Sequence, residues 1–182
     1  MTEPLLAAWE SFYVIVGSSS AALIGLQFVV ITLGAEGGLG SEETTTSFAT
    51  PTVVHFGAVL LMSGILSAPW HGTGWAVGLV ALSGLIGCFY MGSVIRTARR
   101  QHDYEPVLED VIWHWCVPMT AYAALAISGL FRHHAEEVLF AVAGVALVLL
   151  FTGIHNAWDS VVFIAMRRRR MKAENQTPAG PA

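Results

Sequence analysis

Charge is the first thing this chain lacks. Asp, Glu, Lys and Arg make up 12% of its 182 residues, against about 25% in a typical soluble domain. With 54% hydrophobic residues and a mean hydropathy of +0.60, no water-soluble core of this length could bury so much apolar sequence. Positive charge is absent from the whole first half: no Lys or Arg precedes Arg96. A secretory signal peptide needs a basic leading region, so the first apolar stretch is expected to remain in the mature protein. The only cysteines, Cys88 and Cys116, both fall inside apolar runs and read as small hydrophobes rather than a disulfide or a site. Nucleotide-binding loops, a nucleophile elbow and nucleic-acid-binding patches are missing too. No catalytic set is assigned, and no nucleic-acid partner is expected.

Long apolar runs are what the chain has instead. A membrane-spanning helix needs about 20 predominantly apolar residues, and five runs meet that length: Leu5–Leu33, Pro51–Trp70, Trp75–Ile95, Val111–Phe131 and Val138–Met166. In lipid each backbone amide and carbonyl must be satisfied within the protein, which a helix does. The expected fold class is therefore all-α, a polytopic transmembrane bundle of five spans over residues 1–170. A polar tail, 171–182, carries two prolines and is expected to be disordered. Arg96, Arg99 and Arg100 follow the third run, and Arg167 to Arg170 with Lys172 follow the fifth. Cytoplasmic flanks are enriched in such residues, so the N-terminus is expected outside and the C-terminus inside. The Arg167–Arg170 run also suits contact with anionic lipid.

Several features along the chain set packing expectations. Trp9, Phe12 and Tyr13 fit an interfacial aromatic belt, with Glu10 beside them as a water-facing carboxylate or, alternatively, an outer mouth that attracts cations. Ser18, Ala21, Ala22 and Gly25 are spaced for close helix approach. Ser18 to Ser20 could alternatively line a polar path. Residues 35–50 read as a polar, mobile loop. Thr50-Pro51 looks like a cap followed by proline at the first helical position. In the fourth run Pro118 frees the carbonyl of His114, so a break is expected there. His133 and His134 are adjacent and diverge on a helix, a poor arrangement for a metal.

The informative residues are polar groups inside these runs, because an ionisable side chain at membrane depth costs a few kcal/mol and marks a functional hypothesis. Gly153-Ile-His-Asn-Ala-Trp-Asp159 holds two, His155 and Asp159, at i and i+4 and so on one helix face. Asn156 is beside them. Counting inward along each run at about 1.5 Å per residue, His114 lies about 5 Å deep, His55 about 6 Å, Asp159 about 12 Å and His155 about 18 Å. Gln27 shares this half. The expectation is a ladder from the inner surface to the midplane. Three chemistries fit it: a proton or ion path built on titratable His and acid groups, a haem b or divalent metal held by His55, His114 or His155 in a membrane redox protein, and a structural polar network between helices, as in a non-catalytic accessory membrane subunit whose partner does the work. The path is the leading reading. A chain of this size has too few helices to enclose a wide aqueous route, so a homo-oligomer in the bilayer is the expected working unit. No cofactor is expected on this reading.

Phe12-Tyr-Val-Ile-Val-Gly-Ser-Ser-Ser, Gly25-Leu-Gln-Phe, Thr50-Pro-Thr-Val-Val-His55-Phe, Leu66-Ser-Ala-Pro-Trp70, Pro106-Val-Leu-Glu-Asp110 and Gly153-Ile-His-Asn-Ala-Trp-Asp159 resemble a group of small bacterial integral membrane proteins. The resemblance covers nearly the whole chain. It implies a bacterial inner-membrane location and brings no activity, substrate or site. The orientation is open to direct measurement: a reporter fused to the C-terminus is expected in the cytoplasm and one at the N-terminus outside it, and two reporters on the same side would refute the five-span count.

Overall fold

The computed structural model describes residues 5–36, 42–100 and 108–176. Its elements are α1 (Glu10–Glu36, preceded by a 3-10 turn, Leu5–Trp9), α2 (Glu42–Ser67), α3 (Thr73–Ala98), α4 (Val117–Ser128) and α5 (Ala135–Gln176). A short helical turn, Leu108–Asp110, and a π-helical segment, Val111–Cys116, lead into α4, and a 3-10 turn, Gly129–Phe131, follows it. Among the described residues five stretches are long and apolar enough to cross a membrane: Leu5–Thr32, Thr50–Ser67, Thr73–Ala98, Val111–Phe131 and Ala135–Met166. The chain is thus a helical bundle with the character of a multi-pass membrane protein.

Its surface agrees with that character. Phe28, Leu61, Leu82, Ile86, Phe89 and Phe151 are exposed within the helices, where a soluble bundle would present polar side chains. Hydroxyl groups on this outer surface are turned back on their own helix. Ser18 donates to the Val14 carbonyl at 2.6 Å, Ser19 to Ile15 at 2.8 Å, Ser93 to Phe89 at 3.0 Å and Thr120 to Cys116 at 2.8 Å. Such back-bonding satisfies a hydroxyl without a neighbour. Of that trio only Ser20 turns inward within the bundle.

Lipid tails are as apolar as leucine, so helices in a bilayer associate through close packing and hydrogen bonds. The close approaches occur at glycines. A side chain at Gly17 on α1 would stand 2.7 Å from Ser63 of α2. One turn on, the Ser20 hydroxyl donates to the Phe56 carbonyl at 2.6 Å. Gly84 of α3 lies on the backbone of α4 at Ala126, and Gly87 lies flat on the Tyr122 ring. Gly153 of α5 receives the edge of Phe56, whose ring carbons begin 2.5 Å from where a Cβ would be. These contacts pack α1 on α2, α3 on α4 and α2 on α5, each pair antiparallel. The buried core runs from Tyr13 and Leu139 at one end through Val59, Leu149 and Phe56 to Met91.

Three expectations change. α2 begins at Glu42 and passes through Pro51, so Thr50-Pro51 is not a helix start. Proline's fixed φ suits the helix and only one backbone bond is lost, and the local sequence of a capped start and of an internal proline is the same. The polar loop expected at 35–50 shrinks accordingly, since α1 reaches Glu36 and Glu42 to Thr50 are helical; 37–41 lie outside the described residues. At the other end α5 continues to Gln176, so helix extends into the first part of the expected tail, and 177–182 lie outside the described residues. The break expected near Pro118 takes the form of the π turn just before it.

Packing at the glycines sets the first stability prediction. Gly84→Ala and Gly153→Ala force backbone or ring displacement and should each cost about 1–3 kcal/mol. Gly25→Ala and Gly78→Ala meet nothing within 4 Å and should be neutral or gain up to about 1 kcal/mol from helix propensity. Thermal unfolding of the detergent-solubilised protein distinguishes the two pairs, and equal melting temperatures for all four variants would contradict this packing.

Candidate functional site

Phe56 against Gly153 fixes the level at which α2 meets α5, and that level carries the polar residues. His55, adjacent to Phe56, is fully buried. Its Nδ1 is hydrogen-bonded to the Tyr122 hydroxyl of α4 at 3.0 Å. The bond runs either way, depending on which imidazole nitrogen holds the proton. Its Nε2 is buried without a protein partner. His114, in the π turn, lies within electrostatic reach of His55.

Also in the π turn, Trp113 stacks on His155 of α5, with ring centroids 4.4 Å apart and planes inclined by 26°. His155 Nε2 is 3.3 Å from Asp159 Oδ2, near enough for an ion pair but out of line for a hydrogen bond. The pair is only partly covered: His155 is 28% exposed and Asp159 48%. Asn156, the next residue round the helix, points the other way and is 1% exposed, with both amide atoms buried and lacking a protein partner.

Helix register brings two further groups to the level of Asn156. Following α1 against α2 from Gly17–Ser63 through Ser20–Phe56 places Gln27 beside the turn that holds Thr52. Following α2 against α5 from Phe56–Gly153 places Asn156 at the same turn. All three side chains are buried, and Gln27 Nε2 is a further buried donor without a protein partner. Toward the other end of the α1–α2 seam, the hydroxyls of Ser63 and Tyr13 are buried and likewise unpartnered. Glu10 lies at the start of α1, exposed and remote from this level.

The ladder expected from sequence is therefore a cluster. His55 does not sit near the entrance below His155. It shares a level with it, because Trp113 lies on His155 while the same π segment brings His114 to His55. His55 lies deeper than its distance from Pro51 implies, because α2 starts at Glu42. Asp159 and His155 also prove to be peripheral, while Asn156, His55 and Gln27 occupy the interior. The Asp110 side chain lies outside the described residues. The sequence assigns no site role to Tyr122, Trp113 or Ser63, and it reads Tyr13 only as part of an interfacial aromatic belt. For Tyr122 a signal exists, since His114, Pro118 and Tyr122 recur at four-residue spacing on one face.

Among the described residues no three His, Cys, Asp or Glu side chains converge as metal ligands. Cys88 and Cys116 are both free thiols. No known protein family matches the chain, and neither a curated protein nor a solved structure does. The site's chemistry therefore rests on its geometry.

Removing the Tyr122 hydroxyl leaves a second imidazole nitrogen of His55 buried without a partner, which costs about 1–3 kcal/mol. Tyr122→Phe should lower thermal stability by that amount. In a His55→Leu background the same change should be nearly neutral. Additive effects of the two changes would show that the bond contributes nothing.

Proposed function

We propose that this chain is an ion- or proton-conducting protein of the bacterial inner membrane, oriented N-out and C-in and working as a homo-oligomer. One observation carries the reading: buried polar atoms without protein partners recur along the interior, at Gln27, Asn156, His55, Ser63 and Tyr13. Leaving such a group dry costs about 1–3 kcal/mol, and natural cores hold few of them unless water or an ion meets them. On α1 the series from Gln27 to Tyr13 spans about 21 Å at 1.5 Å per residue, much of a hydrocarbon core about 30 Å thick. A cation needs carbonyl and hydroxyl oxygens to replace its water, and a proton needs a chain of donors and acceptors. Asn156, Gln27 and the hydroxyls supply both. Asn156, His55 and His114 stand at the arginine end of this series, and Asp159 and His155 lie beside it on the outward face of α5. Between His55 and Ser63 the seam is closed by Phe56 and Val59, both fully buried, so conduction requires Phe56 to swing off Gly153.

Flux of protons or small cations into liposomes tests this. Asn156→Leu and Asp159→Asn should each reduce flux about tenfold or more, a barrier change of about 1.4 kcal/mol, and Phe56→Ala should raise it. Thr120→Val, on the outer surface, should leave it unchanged. Absent flux, or flux indifferent to all of these changes, eliminates the reading.

A second reading has one specific observation behind it. An imidazole that ligates a metal through one nitrogen has the other held by a hydrogen bond, and His55, tied through Nδ1 to Tyr122 with Nε2 buried, has that form. With His114 nearby on another helix, haem b is the cofactor that two such ligands would suit. The absorption spectrum decides. Conduction predicts colourless protein, and a Soret band lost on His55→Ala would make this a membrane cytochrome.

A further inference from the structure

α5 keeps a long face that the rest of the bundle covers only at His155, where Trp113 stacks on one side of the ring. Ala141, Gly144, Val148, Phe151 and Trp158 are exposed along it, with His155 partly so between the last two. Their spacing alternates three and four, the a and d positions of a heptad repeat, which lets two helices pack side by side with a left-handed twist. Small residues at Ala141 and Gly144 permit close approach at one end. At the other end the same face carries the His155–Asp159 pair. Asp159 lies about 10 Å inside the end of the apolar stretch at Met166, at 1.5 Å per residue, and is 48% exposed there. Lipid cannot solvate a carboxylate at that depth, so a protein surface must cover it.

We propose that a second copy of this chain covers it, the two α5 helices packing about a two-fold axis along the membrane normal. The face is self-complementary in the way such an interface requires, each patch meeting its own copy. In heptad packing a d-position side chain enters a hole formed by a, d, e and the next a of the facing helix. The partner's Trp158 then sits over His155, Asp159 and Val162. That accounts together for a tryptophan 66% exposed and an ion pair left half open beside it. The indole N–H becomes a donor to the Asp159 carboxylate, and the ring displaces lipid from the pair. A different protein could match the apolar part of the face but has no reason to match a His–Asp pair flanked by its own tryptophan. The inference rests on the reading of the chain as an oligomeric membrane protein and not on conduction.

Cysteine cross-linking in native membranes tests it. In a background with Cys88→Ala and Cys116→Ala, single cysteines at Gly144, Val148 and Phe151 are expected to give a disulfide-linked dimer on oxidation. Cysteines at Leu82 and Phe89, equally exposed on α3, are expected to give little. With the reporter at Gly144, Trp158→Ala should reduce the dimer severalfold and Trp158→Phe much less, while the monomer's melting temperature holds because Trp158 is exposed. Equal cross-linking at the α3 positions, no dimer at any α5 position, or an adduct with a different protein would overturn the proposal. Dimer formation without flux would leave this interface standing and remove conduction, and flux without α5 cross-links would do the reverse.

Discussion

The edge of Phe56 resting on the bare face of Gly153 sets the register on which the interior depends. It fixes α2 against α5, and through Ser20 it fixes α1 as well, because that hydroxyl bonds to the carbonyl of the same residue. Every polar group of the interior takes its level from this point. Slide α2 by one turn and His55 leaves Tyr122, while Gln27 and Thr52 part from Asn156. Lipid supplies no hydrophobic force to restore such a slip. The register therefore relies on steric fit, which explains why the positions that specify it are glycines and one rigid ring.

Polar groups then distribute by a simple rule. Outside the bundle, hydroxyls fold back onto their own helix and ask nothing of their surroundings, as at Ser18, Ser19 and Thr120. Inside, the Nε2 of Gln27, both amide atoms of Asn156 and the Nε2 of His55 lack protein partners. A structure free to choose would reverse this, since buried unpartnered groups are the expensive ones. Their retention at one level on three helices is the strongest departure from economical packing in the molecule, and it coincides with the only π-helical turn among the described residues.

The membrane class and the five helices were legible in the sequence because hydropathy is a property of composition and length. The apolar runs Leu5–Leu33 and Trp75–Ile95 match their helices closely. The candidate site was legible in its members but not its arrangement. His55, His114, His155, Asn156 and Gln27 stood out because polar residues in apolar runs are rare. Their relative depth did not, because it was counted from an apparent helix start at Pro51, and proline inside a helix leaves the same local pattern as proline at its beginning. Which side of α5 faces in is set by tertiary contact. Sequence placed His155 and Asp159 together, as the structure does, but could not tell that Asn156 turns inward while they turn out. Tyr122 escaped notice because an aromatic residue in a span is usually packing.

The π turn at Val111–Cys116 has a mechanical meaning. A π turn holds one residue more than the α-helix it interrupts, so the extra residue can be handed along the helix without breaking the backbone ladder on either side. Each step rotates the segment it crosses by about 100°, the angle one residue subtends in an α-helix. Trp113 and His114 sit within this turn, on His155 and near His55, while α4 beyond it is anchored on Gly84 and Gly87. The extra residue of the fourth span thus lies at the turn that touches both the buried imidazole and the half-open ion pair.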